Sequence, residues 1–392
     1  MAGAYYEKIA RINLTTGEIK VEPLDLELAH KFIGGRGLGT KLLYDEGVAA
    51  VDPLSPENKL IYITGPMTGA AAPSTGRYMV VTKSPLTGMI ACSNSGGIWG
   101  AKLKYAGWDA LIVEGEAPEW TYINIVDDKI ELLDAREYLG LFSEELDEKL
   151  KEKHGKDSSV LSIGIAGEKK VLLAAIMNDK DRAAGRSGVG AVMGSKKLKG
   201  IVVTASKKNA DEVLASAEAL KAANKDVMVN IRENGLTGGG LRALGTASLV
   251  NVINGVGSLP TKNWQEAYYD KAEDISGEAL AEKYLVKAGA CHRCPIACGR
   301  IVKVGDKAVV SSRSATRLSA VPSTNPCGLT APTWPTMTWL PSTRPTTGAT
   351  STAWTPSLFP APSLLLWNCT SAAPSRKKTA PAILWSGAAF PL

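Results

Sequence analysis

Alternating and helical spacing of apolar positions divide the chain into three stretches of different character. Ile9–Leu14 and Glu18–Pro23 alternate around Thr15-Thr16-Gly17, which predicts a β-hairpin with the glycine at positive φ. Leu26–Phe32 has helical spacing and runs into Gly34–Gly39. The turn-rich segment Asp52–Asn58 precedes a strand over Lys59–Thr64, and Gly65-Pro66 precedes another over Tyr78–Lys83. Short strands are expected at Leu111–Glu114, Thr121–Asn124, Lys129–Leu132, Val160–Ile165, Val171–Ile176 and Gly200–Thr204. Ser143–Lys153 reads as a helix, with acidic residues early and lysines late as the helix dipole favours.

The character changes at Asp211. Asp211–Asn230 is rich in Ala, Lys and Leu, and residues 240–256 and Ser276–Ala288 also have helical spacing. Residues 1–206 therefore form a β-rich α+β domain, and 207–310 the start of a helical one. Residues 311–392 keep neither period. They hold 12 of the 21 prolines and five of the nine tryptophans, with no Asp or Glu. Pro/Ser/Thr-rich sequence ordinarily means a disordered tail. So much Trp without any acid points instead to translation out of frame, from a shift near residues 308–312. Reading Thr346–Thr355 one nucleotide earlier permits acidic residues and a cysteine, and Trp354 followed by Thr355 forces an aspartate.

Composition adds class limits. With 45% hydrophobic and 21% charged residues, the chain is long enough for two domains and a large core. The net charge of +6 belongs wholly to the tail, because residues 1–310 carry 39 basic and 39 acidic residues. No basic stripe points to nucleic acid, and no apolar run is long enough to span a membrane. Met1–Lys8 lacks a signal-peptide pattern, so a cytoplasmic protein is expected.

Half of the six cysteines sit at Cys291, Cys294 and Cys298, in the pattern CxxCxxxC followed by Gly299 and Arg300. Thiolates so close in sequence suit one soft metal centre, either zinc or an iron–sulfur cluster. Zinc sites usually use two separated CxxC pairs, and no second pair exists, so a cluster fits better. His292 is expected to pack beside it, while His30 and His154 read as surface residues. Asn178–Lys196 offers Arg182, Arg186 and four glycines, which suit phosphate oxygens. A tight turn followed by a glycine-packed helix explains the same residues equally well. Ser74–Tyr78 and Cys92–Gly97 also suit a phosphorylated cofactor, or are loops between strands. Gly34–Gly39 follows a helical pattern and fails the dinucleotide-binding test.

Together, Gly34–Gly39, Val51–Leu60, Gly76–Tyr78, Val81–Gly88, Asn94–Gly97, Ala106–Ala110, Met177–Gly194, Gly245–Ala247 and Cys291–Arg300 resemble the tungsten-dependent aldehyde ferredoxin oxidoreductases. The resemblance covers residues 5–310. It implies an N-terminal pterin-binding domain of two sheets, then a helical domain that is here truncated. It also implies a bis-pterin holding tungsten (molybdenum in some relatives) beside a 4Fe–4S cluster. Arg77, Asn94, Gly96, Arg182, Ala183 and Gly185 would contact the pterins. Asn94 and the Ala183 carbonyl would hold a magnesium ion, and Cys291, Cys294 and Cys298 would ligate the cluster. The implied reaction oxidises a small aldehyde to a carboxylate and passes electrons to ferredoxin, in a protein that can be a homodimer. The family's acid/base residues, second pterin segment and fourth cluster cysteine have no counterpart here, and neither Cys327 nor Cys369 is at a matching place. The chain as written is then expected to be an inactive fragment, a non-catalytic iron–sulfur and pterin module, or a frameshifted product.

Overall fold

The computed structural model describes residues 3–262 and 264–303; the expected tail, with Cys327 and Cys369, lies outside the described residues. The hairpin is built from β1 (Lys8–Asn13) and β2 (Ile19–Pro23). Its turn closes because Asn13 Oδ1 accepts the amides of Thr15 and Thr16 at 3.0 and 3.2 Å and Gly17 takes φ +75°. Helix α1 (Leu26–Phe32) starts at Asp25, whose carboxylate accepts the Glu27 and Leu28 amides at 2.8 and 3.2 Å. Helix α2 (Gly35–Asp45) takes up the glycine run, and β3 (Leu60–Thr64), β4 (Tyr78–Lys83) and β5 (Ile90–Ser95) follow. After α3 (Trp99–Tyr105) come β6 (Ala110–Glu114), β7 (Thr121–Val126), β8 (Lys129–Asp134), α4 (Ser143–His154) and β9 (Ser159–Ser162). Then α5 (Ile165–Glu168), β10 (Ile176–Asn178), β11 (Arg182–Ala184), α6 (Val189–Ser195) and β12 (Leu198–Thr204) complete the first region.

These strands form two six-stranded mixed sheets, in the orders β2-β1-β6-β3-β4-β5 and β11-β10-β9-β12-β7-β8. Period-two side-chain alternation then dictates the layers. On β3, Leu60 and Tyr62 face the other sheet, while Ile61 and Ile63 face Leu38 and Leu43 of α2. Ile123 and Ile201 of the second sheet complete the inter-sheet core with Trp99 of α3 and Met193 of α6. Tyr122, Val160 and Val202 point the opposite way, onto Leu146 and Leu150 of α4. The glycine run serves this packing: a Cβ on Gly39 would lie 2.8 Å from Val81 Cγ2 and 2.9 Å from Ile63 Cγ2.

The second region contains α7 (Ala217–Glu233), α8 (Leu241–Leu244), α9 (Leu249–Gly255) and α10 (Gly277–Lys283), then β13 (Leu285–Gly289) and β14 (Gly299–Val302). It has its own core of Val250, Leu259, Ile275 and Leu280. Several expectations need correction. The helix expected over Ser276–Ala288 stops at Lys283, because Leu285–Gly289 pairs antiparallel with β14 from beyond the cysteines. The helix over 240–256 is broken at Gly245, which has φ +71°. The strand expected at Val171–Ile176 begins only at Ile176, since the preceding residues form a turn against α6 in which the Ala174 carbonyl accepts the Gly190 amide at 3.0 Å. The strand at Val160–Ile165 ends at Ser162 and gives way to α5. Of the Cys92–Gly97 segment, for which loops between strands were one reading, Cys92–Ser95 lie in β5, whose inward residues Ser93 and Ser95 are polar.

Three lysines are fully buried. Lys104 pairs with Asp109, and Lys199 pairs with Glu168 and donates to the Ile163 carbonyl at 2.9 Å. Lys196 instead donates to the carbonyls of Pro56, Asn58 and Gly115 at 3.2, 2.5 and 3.1 Å, tying three loops together. Burial pushes its ammonium down to about 8.

Two expected outcomes follow. Gly194→Ala places a Cβ 1.9 Å from the Gly167 carbonyl oxygen, a backbone atom that cannot swing aside. It should cost roughly 3 kcal/mol in urea unfolding. Lys196 binds its proton less tightly folded than unfolded, so the unfolded chain holds more protons between about pH 8 and the ordinary lysine range. Its contribution to stability should therefore rise across that window, seen as a growing gap to Lys196→Met in unfolding curves taken at successive pH values.

Candidate functional site

The cysteine loop is the tip of the β13–β14 hairpin, where Gly289 pairs with Gly299. Inside it, the Cys294 amide donates to the Cys291 carbonyl at 3.1 Å, and Arg293 and Ala297 adopt φ of +47° and +50°. The loop is fastened to the first region from two sides. The His292 amide donates to the Gly97 carbonyl at 3.0 Å, and the Ser74 amide to the Arg293 carbonyl at 2.9 Å. Ser74 Oγ also lies 3.3 Å from Cys294 Sγ, and Tyr105 OH lies 3.0 Å from His292 Nε2. Burial, helped by Arg293 and Lys102, lowers the His292 pKa. Cys291 and Cys294 also line a cleft of about 470 Å³ with Ala72, Pro73 and Met228.

Close approach here depends on glycine. A Cβ on Gly96 would lie 2.7 Å from Cys291 Sγ, and one on Gly76 would lie 2.6 Å from the Gly97 oxygen and 2.7 Å from His292 Cβ. Among the described residues, no three His, Cys, Asp or Glu side chains converge tightly enough to hold one ion.

Strands β4 and β5 present the second part of the site. Met79 pairs with Asn94, and Arg77 lies just before β4. Arg77 Nη1 donates to Asn94 Oδ1 at 2.5 Å, while Asn94 Nδ2 donates to the Tyr78 carbonyl at 3.2 Å. Both side chains line a cavity of about 560 Å³ that also takes in Gly34, Gly35 and Arg36 at the start of α2 and Asn224 and Val227 of α7. The α2 N-terminus has no side-chain cap, so its free amides and two guanidinium groups offer donors to anionic oxygens.

The β10–β11 hairpin is the third part. Met177 pairs with Ala183 and Asn178 with Arg182, and β11 packs on β5. Gly185 directly follows β11, and the Arg186 amide donates to Ser93 Oγ at 3.1 Å. Asn178 is buried; its Oδ1 accepts Tyr78 OH at 2.9 Å and Ser95 Oγ at 2.6 Å, and its Nδ2 donates to the Gly96 carbonyl at 2.9 Å. Asp179 Oδ2 accepts the Ile98 and Trp99 amides at 2.6 and 3.1 Å, and Oδ1 accepts Ser159 Oγ at 2.5 Å. Burial pushes the Asp181 carboxyl up to about 6 against the pull of Arg182, whose guanidinium lies 3.4 Å away. Arg182 remains above its usual pKa although burial opposes this, held there by Asp181 and then by the Cys291 and Cys298 thiols.

Arg77, Arg182 and Cys291 thus meet Gly96 and Gly97 in the turn after Asn94, with Cys294 displaced toward Ser74 and the Cys298 carbonyl toward Gly245. Sequence reasoning missed the scaffold beneath them. Asn178 and Asp179 were seen only as part of a polar run, and nothing local reveals that their partners lie some 80 residues away. Tyr105 carried no signal either, and Ser74 was legible only as part of the Ser74–Tyr78 segment, not as a neighbour of Cys294. Asp179→Ala should strip the start of α3 and the turn of their acceptor. We expect a loss of about 2 kcal/mol in chemical unfolding.

The model of the aldehyde ferredoxin oxidoreductase N-terminal domain matches residues 9–205, and that of the family's domains 2 and 3 matches residues 222–322. The chain is 50% identical over 298 residues to the tungsten-containing aldehyde ferredoxin oxidoreductase of Pyrococcus abyssi, covering 76% of this chain and 49% of that protein. It is 32% identical over 320 residues to an aliphatic sulfonate oxidoreductase, WOR-like subunit, of Pyrococcus furiosus, with the same coverage. Among solved structures, the active site complex BamBC of benzoyl coenzyme A reductase with 1,5-dienoyl-CoA superposes with a TM-score of 0.76 at 27% identity, covering 93% of this chain and 56% of that one. The chain spans about half the length of the curated relatives it matches. With both family models aligned in order across the sheets and the cysteine hairpin, this chain belongs to the aldehyde ferredoxin oxidoreductase family.

Proposed function

We propose that the chain supplies the cofactor cradle of an oxidoreductase that converts an aldehyde to a carboxylate at a tungsten (or molybdenum) bis-pterin, with ferredoxin as electron acceptor. The observation that carries this reading is the meeting of three segments at Gly96 and Gly97, where a Cβ would collide with Cys291 Sγ or with Asp179 and Asn178. Residues 1–206 are the pterin-binding domain in this reading, and 207–310 open the helical domain.

The donor chemistry fits. Arg77, Arg182 and the backbone at Gly96 and Gly185 suit the phosphates and polar edges of pterins. Asn94 Oδ1 and the Ala183 carbonyl are hard oxygen donors suited to a magnesium ion shared with phosphates. Asn94 Oδ1 accepts from Arg77 and keeps a second lone pair for an ion. Cys291, Cys294 and Cys298 provide soft thiolates for iron. When bound, the metal–pterin supplies the two-electron oxidation, and the cluster passes electrons on singly. The protein's share is to hold these groups close and exclude competitors.

A second reading, a non-catalytic iron–sulfur and pterin module, is favoured by the count of thiolates: the hairpin brings three, and a cluster ordinarily takes four. Metal analysis of the anaerobically purified chain separates the possibilities. Iron, sulfide and tungsten with aldehyde-dependent reduction of a viologen dye are expected for the enzyme. Iron and a cluster EPR signal without dye reduction would leave the module, and zinc as the sole metal would sink both. Gly96→Ala should lower iron content severalfold, since its methyl group occupies the approach to Cys291.

A further inference from the structure

Arg300 is a buried cation that the proposed cofactor set does not use. It is 2% exposed, on β14, two residues after Cys298. Its Nη2 donates to the carbonyls of Leu241, Arg242 and Ala297 at 2.8, 2.8 and 3.1 Å. Its Nε is buried and has no hydrogen-bond partner among the described residues. Gly245, at φ +71°, closes over it: a Cβ there would lie 2.5 Å from Arg300 Nε and 2.8 Å from the Cys298 oxygen.

Other buried cations in the fold have an answer to their charge. Lys104 has Asp109, Lys199 has Glu168, and Arg182 has Asp181. Lys196 lacks a carboxylate contact but can shed its proton. A guanidinium cannot. Carbonyl dipoles alone leave a full charge in a low-dielectric setting, which is costly without a counter-ion. Desolvation lowers the Arg300 pKa, and Cys298 opposes that shift.

We propose that Arg300 is a positioning residue whose uncompensated charge balances an anionic iron–sulfur cluster on the Cys291–Cys298 loop and raises that cluster's reduction potential. This rests on the cluster reading of the three thiols. A fixed cation beside the cluster favours the state with one more electron, and cluster potentials respond to local charge and to hydrogen bonds around the sulfurs. The same guanidinium ties the loop to α8 and Gly245, so charge compensation and loop geometry reside in one side chain.

The test is a redox titration of the full chain, reconstituted anaerobically with iron and sulfide and followed by EPR, in wild type, Arg300→Lys and Arg300→Gln. Arg300→Gln should shift the reduction equilibrium about tenfold toward the oxidised form, about 59 mV lower for one electron. Arg300→Lys should keep the wild-type potential despite losing the forked contacts. Arg300→Met, similar in length and without polar atoms, replaces the glutamine variant should that one not fold. A wild-type potential in the neutral variants, at full iron content, overturns the role of Arg300. Failure of the wild-type chain to take up iron overturns the cluster reading itself, so the two failures are told apart by iron content.

Discussion

The candidate site depends on one steric constraint, the absence of side chains at Gly96 and Gly97. These residues are the crossing point of three segments that are distant in sequence. The cysteine loop descends on Gly96 with Cys291 Sγ, and the β10–β11 hairpin brings Asn178, Asp179 and Arg182 against Gly97. Any Cβ at either position would have to displace a sulfur atom or a buried hydrogen-bonded side chain. Such crowding is tolerable only where the backbone is otherwise fully determined, and here it is. Asn178 holds the Gly96 carbonyl, Asp179 holds the Ile98 and Trp99 amides, and His292 holds the Gly97 carbonyl.

The two sheets exist, for functional purposes, to aim that turn. β5 is the edge of one sheet and β11 the edge of the other, and the two edges pack together. The inward polar face of β5 is therefore not solvated, but reads across to the second sheet through Ser93 and Ser95, joined by Tyr78 of β4. An apolar contact would bring the sheets together equally well. Hydrogen bonds between them are directional, so they also fix the lateral register that places Gly97 against Asn178 and Asp179.

Charge is arranged in a second pattern. Fully buried cations are matched by carboxylates or, at Lys196, can shed the proton, whereas among the described residues Arg300 near the cysteine loop finds carbonyl oxygens alone. Arg182 approaches that loop's thiols from the opposite region of the chain. The loop thus sits between guanidinium groups from two regions. Its His292 packs against Tyr105.

Periodicity alone determined the elements that bury one apolar face. The β1–β2 hairpin with Gly17, α1, β3, β4 and α4 lie where alternation and capping residues put them, because their side-chain pattern and local turn chemistry agree. The cysteine spacing and the glycine–arginine runs were likewise legible as chemistry, since residue type and interval are local properties. Tertiary structure decided the rest. It made a strand of polar β5, whose inward serines are satisfied only by the 178–186 segment. It ended α10 at Lys283, because β14 from beyond the cysteines offers Leu285–Gly289 a ladder. It also gave Arg300 its isolation, a property that exists only once Gly245, Cys298 and the end of α8 close around it. A hydrogen bond or an unpaired charge between residues 50 to 200 positions apart leaves no period in the sequence to be read.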